Sequence, residues 1–397
     1  MPRIKIKGDS RMKIRIITLV LTKNCNLSCV YCYEKHDHRD GKIMEFSTAQ
    51  ENIARYLEAD DEFEGVEVDF FGGEPMLAFP LIRNIVEWVL SREWPKAYRF
   101  MIGTNGTVLN DEIKKWLIEH RGYVSVSLSI DGNKTAHNLT RDNSYDLIAP
   151  NIPFFMENWP NQPAKMTIIA DTIPYLADSI IELEEMGMNF TANMAFEDFW
   201  GTPGEKDRLL GMHKEQLSRL VDYYAERPYL FPVSPLLDSV PEYLGLPHDR
   251  LDAIIQKEKK EKDCTRYCGA GHEMVTVDVD GQNYPCHRFL PWVSGFSPPG
   301  EPTNRQTDWK PDECSNCKLI HSCPTCAGFN WETHKDTGTR TTFHCDAYKL
   351  EVLASARLEA IRIGQRSTSE LEQLPLEEKH KIRKRLNAVL NLIEEGV

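Results

Sequence analysis

Between Ile14 and about Ala195 the chain alternates short β-branched or aromatic runs with longer amphipathic stretches, and this alternation limits the fold more than any other feature. The strand candidates are Ile14–Thr22, Val66–Phe71, Tyr98–Gly103, Tyr123–Ile130, Ala164–Ala170 and Met188–Phe196. Helical periodicity fills the gaps at Thr48–Ala59, Leu77–Ser91, Asp111–Arg121, Tyr145–Asn158 and Tyr175–Met186, with a sixth helix at Lys206–Glu226. Six strand–helix units in succession require parallel strands joined by right-handed crossovers. No dinucleotide-binding glycine signature follows the first strand, so an α/β partial (β/α)6 TIM-like barrel is preferred to an open doubly wound sheet. In such a barrel the chemistry sits on the loops after the strands. Those loops read KNCNLSCVYCYE, GGEP (Gly72–Pro75), TNGT (Thr104–Thr107) and DG (Asp131–Gly132).

The cysteines are the second constraint. There are 11, three at Cys25, Cys29 and Cys32 and eight between Cys264 and Cys345. An odd, clustered set in a long chain does not describe a secreted disulfide scaffold. The opening MPRIKIKGDSRMKIRI offers no apolar signal-peptide core, and no run of about 18 apolar residues could span a bilayer. With 47 Lys and Arg against 60 Asp and Glu the net charge is −13, which gives no global attraction to nucleic acid or an anionic membrane. A cytoplasmic protein with reduced, metal-holding thiols is expected. On the residues alone, Cys-x3-Cys-x2-Cys admits two fillings. Zinc wants four ligands, which His36 and His38 would help complete. An iron–sulfur cube held by three thiolates keeps one iron open for another ligand.

CNLSCVYC after a first barrel strand resembles the signature of the radical S-adenosylmethionine superfamily, including Tyr31 before the third cysteine. The resemblance implies an enzyme whose open iron is chelated by the amino and carboxylate groups of S-adenosylmethionine and whose product is a 5′-deoxyadenosyl radical. It assigns Gly72, Gly73 and Glu74 of GGEP to the methionyl ammonium, and Thr104, Asn105, Ser129 and Asp131 to the ribose and methionyl side. Arg141 sits where related enzymes place an arginine on the methionyl carboxylate, a task suited to the guanidinium fork. His36 and His38 then become loop residues.

The remaining spacing, Cys264-x3-Cys268-x17-Cys286 and then Cys314-x2-Cys317-x5-Cys323-x2-Cys326-x18-Cys345, resembles the SPASM domain, with a β-hairpin about Asp280–Gly281. The usual pattern has three residues between the last two cysteines of the quartet; here there are two. Taken without the first cluster, these pairs suit zinc ribbons as well. The resemblance implies two auxiliary [4Fe-4S] clusters, three in all with the S-adenosylmethionine-binding one. Cys264, Cys268, Cys286 and Cys326 would hold the nearer, and Cys314, Cys317, Cys323 and Cys345 the farther. Were Cys264 not a ligand, the nearer cluster would offer an open iron.

The expected organisation is an N-terminal extension (1–13), a radical barrel (14–226), a Pro-containing bridge (227–262) ending in a charged, solvated run, a small cysteine-rich SPASM domain (263–349) and C-terminal helices (350–397). In the last of these, Ile382, Leu386, Val389 and Ile393 form one docking stripe. Asp278 and Asp280 are expected on the solvent face and turn of the hairpin. The resemblance points to maturation of a ribosomal precursor peptide by oxidative thioether or C–C crosslinking. The alternative is formylglycine formation of the anaerobic sulfatase-maturase kind, or another radical alcohol dehydrogenation. Sulfatase maturases carry an aspartate base directly after the hairpin cysteine; here that position is His287, the candidate catalytic residue. Only 24 residues precede Cys25, so leader recognition is assigned to a separate protein or to the bridge and C-terminal helices. An electron donor such as flavodoxin or ferredoxin completes the expected partners.

Overall fold

Burial along β1 (Ile14–Thr22) explains how the sheet divides space: Ile17, Leu19 and Leu21 pack into the main core, whereas Thr18, Val20 and Thr22 point the other way. The chain is described by a computed structural model covering residues 12–34, 40–237, 268–296, 314, 317, 319 and 323–395. Most of the N-terminal extension, His36, His38, the charged run at 257–263 and Cys264 lie outside the described residues.

β1 pairs in parallel with β2 (Gly65–Gly72), which continues to β3 (Ala97–Thr104) and β4 (Val124–Leu128). A second parallel pair, β5 (Ala164–Ile168) and β6 (Phe190–Met194), joins the wall through a bridge between Ser129 and Lys165. Six parallel strands in sequence order make the partial barrel that the sequence predicts. Its outer face is apolar: Val66, Val68 and Phe70 of β2 share one core with Ile53 and Leu57 of α1 (Phe46–Leu57) and Ile82, Ile85 and Val89 of α2 (Phe79–Leu90). Each such fully buried side chain contributes about 1.5–3 kcal/mol.

Four findings differ from the sequence reading. The helix expected over Tyr145–Asn158 is interrupted by a tighter turn at Ala149–Asn151, because Pro150 and Pro153 cannot supply the backbone donors of a continuous helix. A short helix at Lys134–Thr140, capped by the Asn133 side chain on the Ala136 N–H, goes unpredicted. The hairpin β7 (Met274–Val277) and β8 (Asn283–Tyr284) forms as expected, but β7 adds in parallel to the free edge of β1. The auxiliary segment thereby shares one sheet with the barrel. Asp278 is 5% exposed, not on a solvent face; its carboxylate accepts the N–H groups of Asp280 and Gln282 and builds the turn. Asp280 does sit at the exposed turn, paired with Lys42.

Beyond the hairpin, α3 (Ala327–His334), α4 (Cys345–Gly364) and α5 (Leu376–Glu395) form most of the C-terminal part. Val389 and Leu392 of α5 dock on Val352 and Ala356 of α4, with Leu386 and Ile393 beside them. No helix among the described residues is long and apolar enough to cross a membrane.

Candidate active site

The two glycines of GGEP exist for a close backbone crossing. Gly72 has φ +132°, and a Cβ there would lie 2.0 Å from the Thr22 carbonyl oxygen. A Cβ on Gly73 would lie 2.3 Å from the Asn24 carbonyl oxygen. Without side chains, the Gly73 N–H donates to Thr22 O at 3.0 Å and the Glu74 N–H to Asn24 O at 2.8 Å. The loop after β2 is thereby fastened to the start of the cysteine loop after β1.

Glu74 is 1% exposed, and burial pushes its carboxyl up from the ordinary range. Its Oε1 accepts from Thr104 Oγ1 at 2.7 Å and Met76 N at 3.0 Å; its Oε2 accepts from Asn105 N at 2.7 Å. A carboxylate has about four acceptor sites, so one is left for an outside donor such as an ammonium. Asn105 reaches the cysteine loop, donating to Asn26 Oδ1 at 2.9 Å and standing 4.0 Å from Cys25 Sγ. The Leu27 N–H also points at that sulfur, at 3.4 Å.

Asp131 is fully buried and fully used. Its Oδ2 accepts from Tyr31 Oη (2.6 Å), Arg141 Nε (2.8 Å) and Thr140 Oγ1 (2.9 Å), and its Oδ1 from Thr167 N (2.9 Å). With its acceptor sites filled by protein, it anchors Tyr31 and Arg141. Arg141 uses Nε on Asp131 and stacks over Tyr31 at 5.5 Å, while its two terminal nitrogens bond no described residue. That free fork is what a carboxylate ligand requires. Ser129, half-buried, donates its N–H to Thr104 O at 2.9 Å and joins the loops after β3 and β4.

None of the ten described cysteines forms a disulfide. Burial pushes Cys29 up to about 11, with Cys32 and Cys25 adding to the rise and Arg141 opposing it, so the three thiols share one electrostatic neighbourhood. Farther along, Cys286 interacts with Cys326 and Cys268, and burial pushes it up to about 12. Cys323, also pushed up to about 12 by burial, interacts with Cys345, Cys317 and Cys314. Among the described residues no three His, Cys, Asp or Glu side chains converge tightly enough for a single metal ion. A cube instead spreads its thiolates over separate irons. The sulfurs have the polar neighbours such ligands use: backbone N–H groups of Arg288 and Phe289 at Cys286, and of Phe329 and Gly328 at Cys326. The donor sets therefore fit iron–sulfur clusters.

The sequence reading misses the joint between these centres. His287 lies 4.9 Å from Phe71 and 5.9 Å from Tyr33, both in stacked geometry, and its Nδ1 is buried without a hydrogen-bond partner. Burial, then Arg288 and Lys165, push the imidazole down to about 4, so it is neutral near pH 7. Arg288 lies 4.0 Å over Tyr33 and pairs with Glu197 (2.6 Å) and Glu332 (3.4 Å). Trp292 Nε1 donates to Glu34 at 2.9 Å, and Lys23 lies 4.6 Å over the Trp292 ring. The only sequence signal was adjacency: Tyr33 and Glu34 follow the third cysteine, and Arg288 and Trp292 follow Cys286.

Residues 19–183 match the Radical SAM superfamily. This stretch holds the cysteine loop, GGEP and Arg141, and it is a Radical SAM domain. Among relatives, an uncharacterized protein of Methanocaldococcus jannaschii is 29% identical over 295 residues, 71% of this chain and 86% of that protein. The fold is that of native anSMEcpe solved with AdoMet and the Cp18Cys peptide, with a TM-score of 0.61 at 17% identity over 88% of this chain and 99% of that one. SuiB of Streptococcus suis bound to the precursor peptide SuiA superposes with a TM-score of 0.52 at 16% identity, over 83% and 75% of the two chains.

Proposed function

We propose that this enzyme modifies a ribosomally made peptide, oxidatively joining two of its residues through a thioether or C–C bond in a cytoplasmic, oxygen-free setting. The observation that carries the reading is the joint: the residue after Cys286 is a neutral histidine seated between Tyr33 and Phe71, beside the cysteine loop. It brings the auxiliary segment against the place where substrate must meet the cofactor. The peptide-bound structures of anSMEcpe and SuiB, which share the fold, support a peptide as substrate.

When bound, the cluster of Cys25, Cys29 and Cys32 with S-adenosylmethionine supplies a primary carbon radical that removes hydrogen from an unactivated C–H bond. The chain's own residues orient and shield. Arg141, held by Asp131, receives the methionyl carboxylate; Glu74 keeps one acceptor site for the ammonium; Asn105 and the Leu27 N–H face the sulfur of Cys25. Net oxidation of the peptide also releases a proton and an electron. His287, with its Nδ1 unpartnered, would accept a hydrogen bond or that proton. Cys268, Cys286 and Cys326, with or without Cys264, and Cys314, Cys317, Cys323 and Cys345 would hold two auxiliary clusters, which would supply a one-electron acceptor. A flavodoxin or ferredoxin would serve as the electron donor, and the leader would be recognised by a separate protein or by the bridge and C-terminal helices.

Anaerobic reconstitution with iron and sulfide should give about twelve irons per chain, following three four-iron cubes. Co-expression with candidate precursor peptides should yield a product lighter by two hydrogens whose joined residues resist fragmentation. The triple variant Cys25→Ala, Cys29→Ala, Cys32→Ala should leave the peptide unmodified; modification by that variant would end the radical reading. The 31% identity to the serine-type anaerobic sulfatase-maturating enzyme of Klebsiella aerogenes, over 30% of this chain and 29% of that protein, favours a second reading, formylglycine formation or another radical alcohol dehydrogenation. Fragmentation separates the two, because that change localises to one side chain.

A further inference from the structure

The inner side of the barrel wall carries an exposed cation that the catalytic reading does not use. On β5, Ala164, Met166 and Ile168 face the outer core, which turns Lys165 and Thr167 inward. Lys165 stands beside Ser129 at the strand bridge and interacts electrostatically with Asp69 of β2 across the lumen and with His287 of the auxiliary segment. Its ammonium makes no ion pair or hydrogen bond to any described residue. The other cations near the site are all engaged: Arg141 with Asp131, Arg288 with Glu197 and Glu332, Lys23 with Asp40.

The group opposite is also short of partners. Asp69 keeps one weak contact, from Thr18 Oγ1 at 3.5 Å, and is enclosed by protein yet partly accessible, as a residue lining an internal space must be. Burial, with Glu67 adding to it, pushes its carboxyl up to about 7, so it is available as a hydrogen-bond donor near neutrality. The lumen therefore presents an unspent positive charge near a carboxyl whose ionisation is opposed by burial.

We propose that Lys165 and Asp69 form a receptor for a carboxylate of the peptide substrate, so that the enzyme selects peptides carrying an acidic group next to the residue it modifies. This rests on the peptide-maturase reading. An incoming carboxylate would accept from the Lys165 ammonium with one oxygen and from the Asp69 carboxyl with the other, and would stand close to His287 Nδ1. The source is either an Asp or Glu side chain or a free C-terminus, which share the same recognition chemistry.

The test uses the full reconstituted chain with S-adenosylmethionine and fixed-position peptide libraries containing cysteine beside Glu, Gln or Lys, each with an amidated or a free C-terminus. Binding, read by affinity selection and mass spectrometry, should favour Glu over Gln by about tenfold, one charge-assisted hydrogen bond's worth of affinity. Lys165→Met should erase the preference, and Lys165→Glu should reverse it toward Lys peptides. Preference for a free C-terminus in the Gln library would identify the terminal carboxylate as the guest. Peptide binding without charge preference, or a Glu preference that survives Lys165→Met, overturns this inference alone. Absence of binding to every library overturns it together with the peptide reading. Loss of S-adenosylmethionine binding in Lys165→Met, with Lys165→Glu failing likewise, would move Lys165 to the cofactor and also overturn it.

Discussion

The cysteine loop of the barrel and the auxiliary segment both gather thiols, but they hold them by different means. In the barrel, side chains lock one another: Asp131 accepts four bonds and Glu74 three, and the glycine crossing ties β2 to the loop. The auxiliary thiols come from stretches far apart in the chain and rest on two small apolar clusters, one around Tyr284, Phe289 and Val293, the other around Leu319, Val352 and Val389. The first site is pre-organised by protein; a cluster held by the second set would tie its pieces together. Small metal-dependent segments commonly fold only with their metal.

Stripping iron should therefore have the largest effect and an unequal one. After anaerobic chelation, hydrogen exchange is expected to rise to near the unprotected rate in Cys286–Phe296 and Ala327–His334, while β1 to β4 stay protected. Equal loss in both regions would break the comparison. Next comes Gly73→Ala, whose new methyl has no room beside the Asn24 carbonyl oxygen. It should cost about 2–4 kcal/mol, a size reserved for backbone strain and overpacking. Calorimetry should show the lowered Tm, and the variant should hold about four irons fewer, the content of one cube. An unchanged Tm would mean that the loops are not locked as described.

Asp131→Asn sharpens the same point at a smaller scale. Arg141 would lose its buried counter-charge, and unpairing a buried ion pair costs about 3 kcal/mol. Because Asp131 spends its acceptor sites on protein donors and orients Arg141, the variant should weaken S-adenosylmethionine binding roughly tenfold, measured by calorimetric titration. Wild-type affinity in a destabilised variant would confine Asp131 to a structural role.

The difference between the regions also sets what could be read from sequence. Barrel strands announce themselves through alternation, and β1, expected at Ile14–Thr22, runs between those residues. CNLSCVYC and GGEP are contiguous, so spacing alone located them. The partners of Asp131 come from three further segments, at Tyr31, Thr140–Arg141 and Thr167, and no local pattern announces a carboxylate whose acceptor sites are all taken. The lodging of β7 on β1 was illegible for the same reason: strand pairing between residues some 250 apart is decided by which edge remains free. Asp278 was misjudged because alternation placed it outward, whereas its own carboxylate folds the turn inward.

The smallest effect distinguishes the lumen from both thiol sites by acid titration. Asp69 has a carboxyl pushed up to about 7 by burial, against 3.8 for the exposed group. Between those values the native state holds more protons than the unfolded one, so stability falls as pH rises through that window. The Lys165 ammonium across the lumen offsets part of the loss. Asp69→Asn keeps the shape and removes the titration. Its unfolding free energy should be flatter between pH 4 and 7 than that of the wild type, leaving it more stable by on the order of 1 kcal/mol at pH 8. Denaturant melts at a series of pH values measure this directly. Parallel curves for the two proteins would show that Asp69 is as well solvated in the native chain as in the unfolded one, and a lumen that wet would not hold a selective charge contact.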